Sequence, residues 1–206
     1  MTEPINEFAA ALRANASDYR TVLSEQDLER LSEYYELVNR WNPRLHLVAP
    51  CSPEEFANRH VLESLLLLSF LPERATVADI GSGAGLPIIP VLAMRPNVRA
   101  TLYEAAKKKA VFLREALKVT ATSSQAVVVA ERFEALPPPA VDVVTCRALE
   151  RFKEMLPRMI EWSQGSRLLL FGGEGLAKEL VRSGVSYDRL LIPHSEKRFL
   201  YSSKSE

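Results

Sequence analysis

Three glycines alternate within residues 77–87, where a short apolar run leads into Gly81, Gly83 and Gly85. Glycine lets the backbone turn tightly and lets a ligand approach the main chain closely. Pro87 follows and predicts the first position of a helix, whose initial N–H groups are free to bind a ligand. The stretch therefore predicts a strand, a turn and a helix that together cradle a small molecule.

The spacing of these glycines separates two ligand chemistries. Dinucleotide-binding loops use G-x-G-x-x-G and hold a pyrophosphate. Here the spacing is G-x-G-x-G and Asp79 precedes it, a variant typical of sites for S-adenosyl-L-methionine, whose amino-acid tail carries an ammonium group. A carboxylate beside the loop attracts that ammonium, directly or through water, and repels a pyrophosphate. We therefore expect S-adenosyl-L-methionine as the cofactor; a turn without a ligand would give up backbone entropy for no gain in packing.

Three later residues stand where further strands are predicted to end. Glu104 follows the second strand and is placed to accept hydrogen bonds from ribose hydroxyls, a feature that nicotinamide sites share. Phe133 follows the third strand and is predicted either to pack on an adenine ring or to lie in the core. Arg147 ends the fourth strand, at the edge where ligands bind, and is predicted to be functional rather than structural.

The elements that position these residues change character near residue 73. Residues 1–72 are predicted to be helical. Beyond them, short apolar runs alternate with amphipathic stretches, which predicts βαβ units and a mostly parallel sheet with helices on both faces. The predicted strands are 77–80, 98–103, 126–129, 141–146, 167–171, 190–192 and 198–201, and the predicted helices are 87–94, 105–117 and 151–162.

Two signals place helices in the first 72 residues. Ser24 with Asp27 resembles a capping box, and the helix that it opens is expected to end at Asn42-Pro43. Ser52 followed by a proline and two glutamates predicts a second helix that runs to about residue 70.

Charge and composition exclude several classes of protein. The chain has 206 residues, 47% hydrophobic, and a net charge of +0 that divides into −5 over residues 1–75 and +5 over residues 76–206. Seven basic residues lie within 95–118, either as a solvated helix face or as a surface that attracts phosphate. Two distant cysteines suit a reducing cytoplasm, and an acidic start is not expected of a secretory signal. The most apolar stretch, 61–71, is too short to cross a bilayer and predicts a buried helix.

Taken together, the motifs resemble the small-subunit ribosomal RNA methyltransferase G family, also called glucose-inhibited division protein B. The resemblance covers most of the chain from about Tyr35 onward. Its parts, in order, are Trp41-Asn42-Pro43-Arg44-Leu45-His46-Leu47, Arg59-His60-Val61-Leu62-Glu63-Ser64, Asp79-Ile80-Gly81-Ser82-Gly83-Ala84-Gly85-Leu86-Pro87, Lys107-Lys108-Lys109 with Phe112-Leu113-Arg114, and Thr145-Cys146-Arg147-Ala148.

The resemblance implies a Rossmann-like class I methyltransferase domain with a seven-stranded sheet over residues 73–206, preceded by a helical N-terminal extension over residues 1–72. It implies methyl transfer to N7 of a guanine in 16S ribosomal RNA. From the sequence itself we expect a cytoplasmic monomer that acts on the naked RNA or the small ribosomal subunit, without a metal or a membrane partner. The cofactor contacts it implies are Gly81, Leu86, Glu104, Ala105, Ala106, Phe133, Glu134 and Arg147, to which the loop argument adds Asp79, Gly83 and Gly85. Candidates for contact with RNA are Arg59, His60, Lys107, Lys108, Lys109 and Arg114, and the basic residues of 95–118 together with Arg147 are expected to meet phosphates. For Arg59 and His60 the alternatives are bracing the site or forming a helix-surface pair.

The chain departs from the family pattern at three places, all outside the inferred cofactor contacts. His46-Leu47-Val48 stands where the family usually has Asn-Leu-Thr, Glu63-Ser64 where it has Asp-Ser, and Phe171-Gly172-Gly173 where a lysine often precedes the glycine. Three alternatives therefore stay open: methylation of a small molecule or a protein, a nicotinamide-dependent oxidoreductase, and a ribosome-binding module without activity. N7 of guanine has a free lone pair and no proton to lose, so the sequence is not expected to supply a general base.

Overall fold

A computed structural model describes residues 2–147 and 152–204 of the chain. Within these residues seven strands form one sheet in the order β3-β2-β1-β4-β5-β7-β6, in which only β7 runs antiparallel to its neighbours. The predicted α/β fold with a mostly parallel seven-stranded sheet is confirmed. The strands are β1 (Thr76–Ile80), β2 (Arg99–Tyr103), β3 (Ala126–Val129), β4 (Val143–Arg147), β5 (Arg167–Gly172), β6 (Tyr187–Leu191) and β7 (Phe199–Ser203).

Eight α-helices accompany the sheet in the described part of the chain. Their bounds are α1 (Glu3–Asn15), α2 (Glu25–Leu45), α3 (Pro53–Phe56), α4 (Glu63–Leu65), α5 (Ile88–Met94), α6 (Lys107–Val119), α7 (Phe152–Ser163) and α8 (Glu174–Arg182). Helix α8 was not predicted. Arg151, the expected start of α7, and Ala148 of the family pattern lie outside the described residues. Pro87 is the N-cap of α5 and not its first helical residue.

Helix α2 begins as predicted and ends later than predicted. The Ser24 hydroxyl accepts from the Asp27 N–H, and the Asp27 carboxylate accepts from the Ser24 N–H, which completes a capping box. The expected end at Asn42-Pro43 is wrong, because a proline in the last turn removes one hydrogen bond without stopping the helix. The helix ends instead at Leu45, and the capping residue His46 adopts a left-handed φ of 48°.

The helical stretch from residue 53 to residue 69 is continuous but irregular. The predicted cap is confirmed, since the Ser52 hydroxyl accepts from the Glu55 N–H. Between α3 and α4, residues Ala57–Leu62 form a π-helix, and residues Leu66–Ser69 form a 3₁₀ turn. A π-helix turns Arg59 and His60 to directions that a regular α-helix would not give them, and such segments often occur at functional sites.

Buried residues form one core on each face of the sheet. Successive residues of a strand point to opposite faces, so Val77 packs in the first core and Ala78 in the second. The first core holds side chains of α1, α2, α5 and α6, and the second holds side chains of α7 and α8. Residues 1–72 therefore share a continuous core with the sheet. Among the described residues, no helix is long and apolar enough to cross a membrane.

Candidate functional site

A cavity of about 670 Å³ opens at the carboxyl ends of the parallel strands, within the range of roughly 300–1,000 Å³ that is typical of small-molecule sites. The loops that follow β1, β2 and β3 form one wall together with Arg147 at the end of β4, and residues 46–49 with His60 form the other. Open α/β sheets bind their ligands at this edge. The predicted contact residues that line the cavity are Gly81, Gly83, Leu86, Glu104, Ala105, Ala106, Phe133, Glu134 and Arg147, together with His60 and Lys109 of the RNA candidates.

The glycine loop uses its three glycines for two different purposes. Gly81 and Gly83 line the cavity with left-handed φ angles of 67° and 52°. Gly85 also has a positive φ but lies outside the cavity lining, so its assignment as a cofactor contact is not supported by the geometry. A Cβ atom at Gly85 would overlap the Ile89 side chain and press against Leu113 at 3.2 Å. The third glycine therefore permits close packing of α5 and α6.

Glu104 holds the loop in place. One oxygen of its carboxylate accepts from the Gly83 N–H at 2.9 Å, and the other accepts from the Ala106 N–H at 2.8 Å. The side chain therefore joins the loop to the start of α6. Each carboxylate oxygen has a further lone pair that can accept from a ligand hydroxyl.

Asp79 lies fully buried behind the loop and does not line the cavity. Neither carboxylate oxygen makes a hydrogen bond within the described residues, because the nearby Ser82 hydroxyl donates to the Asp79 backbone oxygen instead. Burial raises the pKa of the Asp79 carboxyl from 3.8 to about 7; the nearby Ser82 hydroxyl opposes this rise, and the charge of Glu104 adds to it. A buried carboxyl with two unsatisfied oxygens fits an ammonium group or an ordered water that reaches it past the loop.

Tyr34 of α2 ties the N-terminal extension to the glycine loop. Its buried hydroxyl donates to the Ala84 carbonyl at 2.7 Å, and Ala84 lines the cavity. Burial raises the pKa of Tyr34, so the hydroxyl remains protonated and able to donate at any ordinary pH. Sequence reasoning missed this residue, because only the fold brings position 34 to the loop.

We expect Tyr34→Phe to weaken binding of S-adenosyl-L-methionine about 5-fold, since losing one net hydrogen bond costs about 1 kcal/mol. The Ala84 carbonyl would lose its buried donor, and the loop would move more freely. Tyr35→Phe is the matched control, because Tyr35 also lies buried in α2 but stacks on Phe8 away from the loop. Calorimetric titration with the methyl donor measures both variants, and equal affinities would contradict a role for Tyr34 in holding the loop.

Arg147 reaches from the end of β4 into the N-terminal extension. Its guanidinium donates to the Glu63 carboxylate at 3.2 Å, to the Arg59 carbonyl and to the His60 carbonyl at 3.4 Å. These protein partners correct the expectation that Arg147 meets a phosphate. Burial, with the positive charges of Arg147, Arg59 and Arg198, lowers the pKa of His60 to about 3, so its imidazole is neutral.

Phe133 and Glu134 belong to a 3₁₀ turn after β3. The Phe133 ring is buried and packs edge-on against Trp162, with ring centroids 5.4 Å apart. Its place in the core is confirmed; it also lines the cavity, and its packing on an adenine ring stays a prediction. Glu134 lies 4.0 Å from the guanidinium of Arg158.

The basic residues of 95–118 do not form one surface. Lys107, Lys108 and Lys109 occupy the first turn of α6, at the cavity edge of the sheet. Arg95 instead donates to the carbonyls of Leu68 and Leu71. The remaining members are also accounted for: Arg99 donates to Pro96, Arg114 to Val128, and Lys118 pairs with Glu115 near the far end of α6. Arg95 is therefore tied to the protein itself, and contact of the other members with phosphates stays a prediction.

Residues 46–49 form a cavity wall that sequence reasoning missed. The chain leaves α2 through the left-handed His46, and the Asn42 side chain then brackets Val48, accepting from its N–H at 3.0 Å and donating to its carbonyl at 3.1 Å. The departure from the family pattern at position 46 was the available signal. Met155 of α7 also lines the cavity.

Comparison with known proteins gives both sequence and structural relatives. The model of a family described as rRNA small subunit methyltransferase G matches residues 27–197. The chain is 37% identical over 144 residues to the ribosomal RNA small subunit methyltransferase G of Gluconobacter oxydans, covering 70% of this chain and 71% of that protein. It is 36% identical over 176 residues to the protein of the same name from Rhodospirillum centenum, covering 84% and 80%.

Among solved structures, the fold is similar to that of the mitomycin 7-O-methyltransferase, with a TM-score of 0.63. The likeness covers 99% of this chain and 74% of that one at 15% sequence identity. At this identity the likeness concerns the fold alone.

Proposed function

The chain belongs to the rRNA small subunit methyltransferase G family, since the family model spans residues 27–197, and we propose that it transfers the methyl group of S-adenosyl-L-methionine to N7 of a guanine in 16S ribosomal RNA. One observation carries the proposal: the family-matched glycine loop, with Glu104 bound to Gly83, lines a cavity at the carboxyl edge of a methyltransferase-type sheet. We further propose that the chain acts as a monomer in the cytoplasm, on the RNA or on the small ribosomal subunit.

The residues around the cavity fit the methyl donor. Gly81 and Leu86 would hold it from the loop, and Glu104 with Ala105 and Ala106 would meet its ribose. Phe133 and Glu134 would flank the adenine, and Arg147 would meet the donor at the β4 side. Asp79, buried behind the loop with two unsatisfied oxygens, would act on the ammonium group through the loop or a water.

The bound donor would supply a methyl group on a positively charged sulfur. N7 of guanine already carries a lone pair and no proton, so the residues of this chain need only bind, align and exclude water. The neutral imidazole of His60 and the apolar side chains of Leu47 and Val48 form the wall opposite the loop. A wall of this composition would accept a flat base and keep water from the reacting atoms.

Lys107, Lys108 and Lys109 support an RNA substrate. Positive charges in the first turn of a helix are unfavourable for the helix dipole, so these lysines do not serve the stability of α6. They stand beside the cavity, and Lys109 lines it. Phosphates of an RNA strand that approaches the cavity would meet this turn.

We expect the affinity for 16S ribosomal RNA to fall with salt, and to fall less steeply when Lys107, Lys108 and Lys109 are all changed to Gln. Each phosphate contact contributes about 0.7–0.9 to the slope of log K against log salt, so the triple variant should lose about 2. Lys118→Gln is the control, because Lys118 lies near the other end of the same helix. Binding titrations at several salt concentrations measure the slopes, and a flat response of the natural chain would favour a small-molecule substrate.

Mapping methylated nucleotides by mass spectrometry tests the proposed reaction. The full chain is incubated with labelled methyl donor and with unmodified 16S RNA or small subunits, and a protein and metabolite panel is treated in parallel. Label at N7 of one guanine supports the proposal. Label only on a protein or metabolite would support the alternative methyltransferase.

A further inference from the structure

Glu63 is buried between two arginines that come from distant parts of the chain. Its carboxylate binds Arg147 at the end of β4 and Arg198 just before β7. We propose that Glu63 is a positioning residue that fixes the Arg147 guanidinium against the methyl-donor cavity. The inference rests on the proposed function, because it assigns a role in donor binding to a residue outside the cavity lining.

The geometry gives each carboxylate oxygen its own partner. Oε2 of Glu63 lies 3.2 Å from Nη2 of Arg147, and Oε1 contacts Nη1 of Arg198. The Glu63 side chain is 2% exposed, and those of Arg147 and Arg198 are 15% and 32% exposed. Ion pairs this well shielded interact more strongly than surface pairs, and loss of one partner leaves an uncompensated buried charge.

Charge balance explains why the carboxylate matters for position. Without it, the two guanidiniums would face each other as like charges with little water between them. Arg198 lies just before β7 and has Glu63 as its ion-pair partner, so loss of the carboxylate would push Arg147 toward the cavity or away from its carbonyl partners. The single negative charge of the Glu63 carboxylate, which both arginines share, therefore determines the position of the Arg147 guanidinium.

The same contacts couple Arg147 to the π-helix. The carbonyls of Arg59 and His60 accept from Arg147, and the Ser64 hydroxyl lies 3.5 Å from it. His60 lines the cavity itself. A shift of Arg147 would thus disturb both walls of the cavity, which a purely local ion pair would not do.

The decisive variant is Glu63→Gln in the full chain. We expect it to weaken binding of S-adenosyl-L-methionine at least about 10-fold by calorimetry, and to raise KM for the donor while kcat changes less than about 3-fold. Glu63→Asp, which keeps the charge, should recover most of the lost affinity. Glu174→Gln is the control, because it breaks a 2.7 Å ion pair with Arg189 in which both side chains are exposed.

Two comparisons decide the outcome. A folded Glu63→Gln chain with natural donor affinity would overturn the inference, and so would a fall in kcat alone, which marks a smaller folded fraction. If Glu63→Gln does not fold, the double variant with Arg198→Gln is compared with Arg198→Gln alone, and equal donor affinities would overturn it. Failure of the proposed function is seen separately, as a natural chain that does not bind the donor or does not methylate the RNA.

Discussion

Gly83→Glu is expected to weaken binding of S-adenosyl-L-methionine more than about 100-fold while the fold survives. Gly83 has a φ of 52° and donates its N–H to the Glu104 carboxylate. A side chain at this φ costs about 1–3 kcal/mol, and a second carboxylate next to Glu104 would repel it. The two effects would displace the loop from the position in which it meets the donor.

Gly83→Ala is the matched control for this variant. A Cβ atom at Gly83 meets only the Gly81 carbonyl oxygen, at an ordinary 3.6 Å. Alanine therefore brings the backbone strain without the added charge and should bind the donor better than the glutamate variant. Calorimetry gives the affinities and circular dichroism the folded state. An unchanged affinity in a folded Gly83→Glu chain would refute the assignment of the site.

Asp79→Asn is expected to make the chain more stable at pH 8 by up to roughly 4 kcal/mol, because each unit of pKa shift corresponds to about 1.4 kcal/mol. The pKa of Asp79 rises from 3.8 to about 7 on folding, so the folded state holds this proton more tightly than the unfolded state. The stabilising contribution of the Asp79 carboxyl to the free energy of unfolding is therefore fully present below pH 4, and it is lost as the pH rises through 7. The amide of Asn carries no charge at any of these pH values.

Urea unfolding of both chains at several pH values between 4 and 8 measures the difference. Asp142→Asn gives a control of opposite sign, since hydrogen bonds from the Thr76 N–H and hydroxyl lower the pKa of Asp142. Its stabilising contribution is present at neutral pH and is lost as the pH falls. A stability difference between Asp79→Asn and the natural chain that does not grow from pH 4 to pH 8 would contradict the burial of an unpaired carboxyl.

The ionisation of Asp79 should also change the affinity for the methyl donor with pH. An ammonium group favours the ionised form of Asp79, so donor affinity should rise as the pH passes 7 in the natural chain and stay level in Asp79→Asn. The charge of Glu104 also acts on Asp79, whereas the nearby Tyr34 hydroxyl stays uncharged over this pH range. A level profile in the natural chain would mean that Asp79 stays protonated when the donor binds.

The buried parallel strands were the easiest part of the fold to predict. Strand β1 differs from its predicted bounds by one residue, because a strand covered on both faces is a short run of apolar residues. Strand β3, at the edge of the sheet and only partly buried, matches its predicted bounds as a run of Ala and Val. Helix α8 was missed, since it follows two glycines and packs only a short stripe formed by Leu176, Ala177 and Leu180. Local pattern carries little information over so short a helix.

The site was predictable where the main chain makes it and unpredictable where distant side chains complete it. The loop glycines and Glu104 lie in local motifs whose spacing has a physical meaning. The bond between Tyr34 and Ala84, or the contact of Glu63 with Arg198, joins positions that only the folded chain brings together. Arg95 was misassigned for the same reason, because its charge was visible in the sequence and its backbone partners were not.

The wall formed by residues 46–49 and His60 has a consequence for the design of selective inhibitors. A compound that fills only the space above the glycine loop would meet main-chain groups that many proteins of this fold present. A compound that extends across the cavity to His46 and the neutral imidazole of His60 would touch side chains supplied by the N-terminal extension. We therefore expect selectivity for this chain over other methyltransferases to come from the part of the compound that contacts His46 and His60.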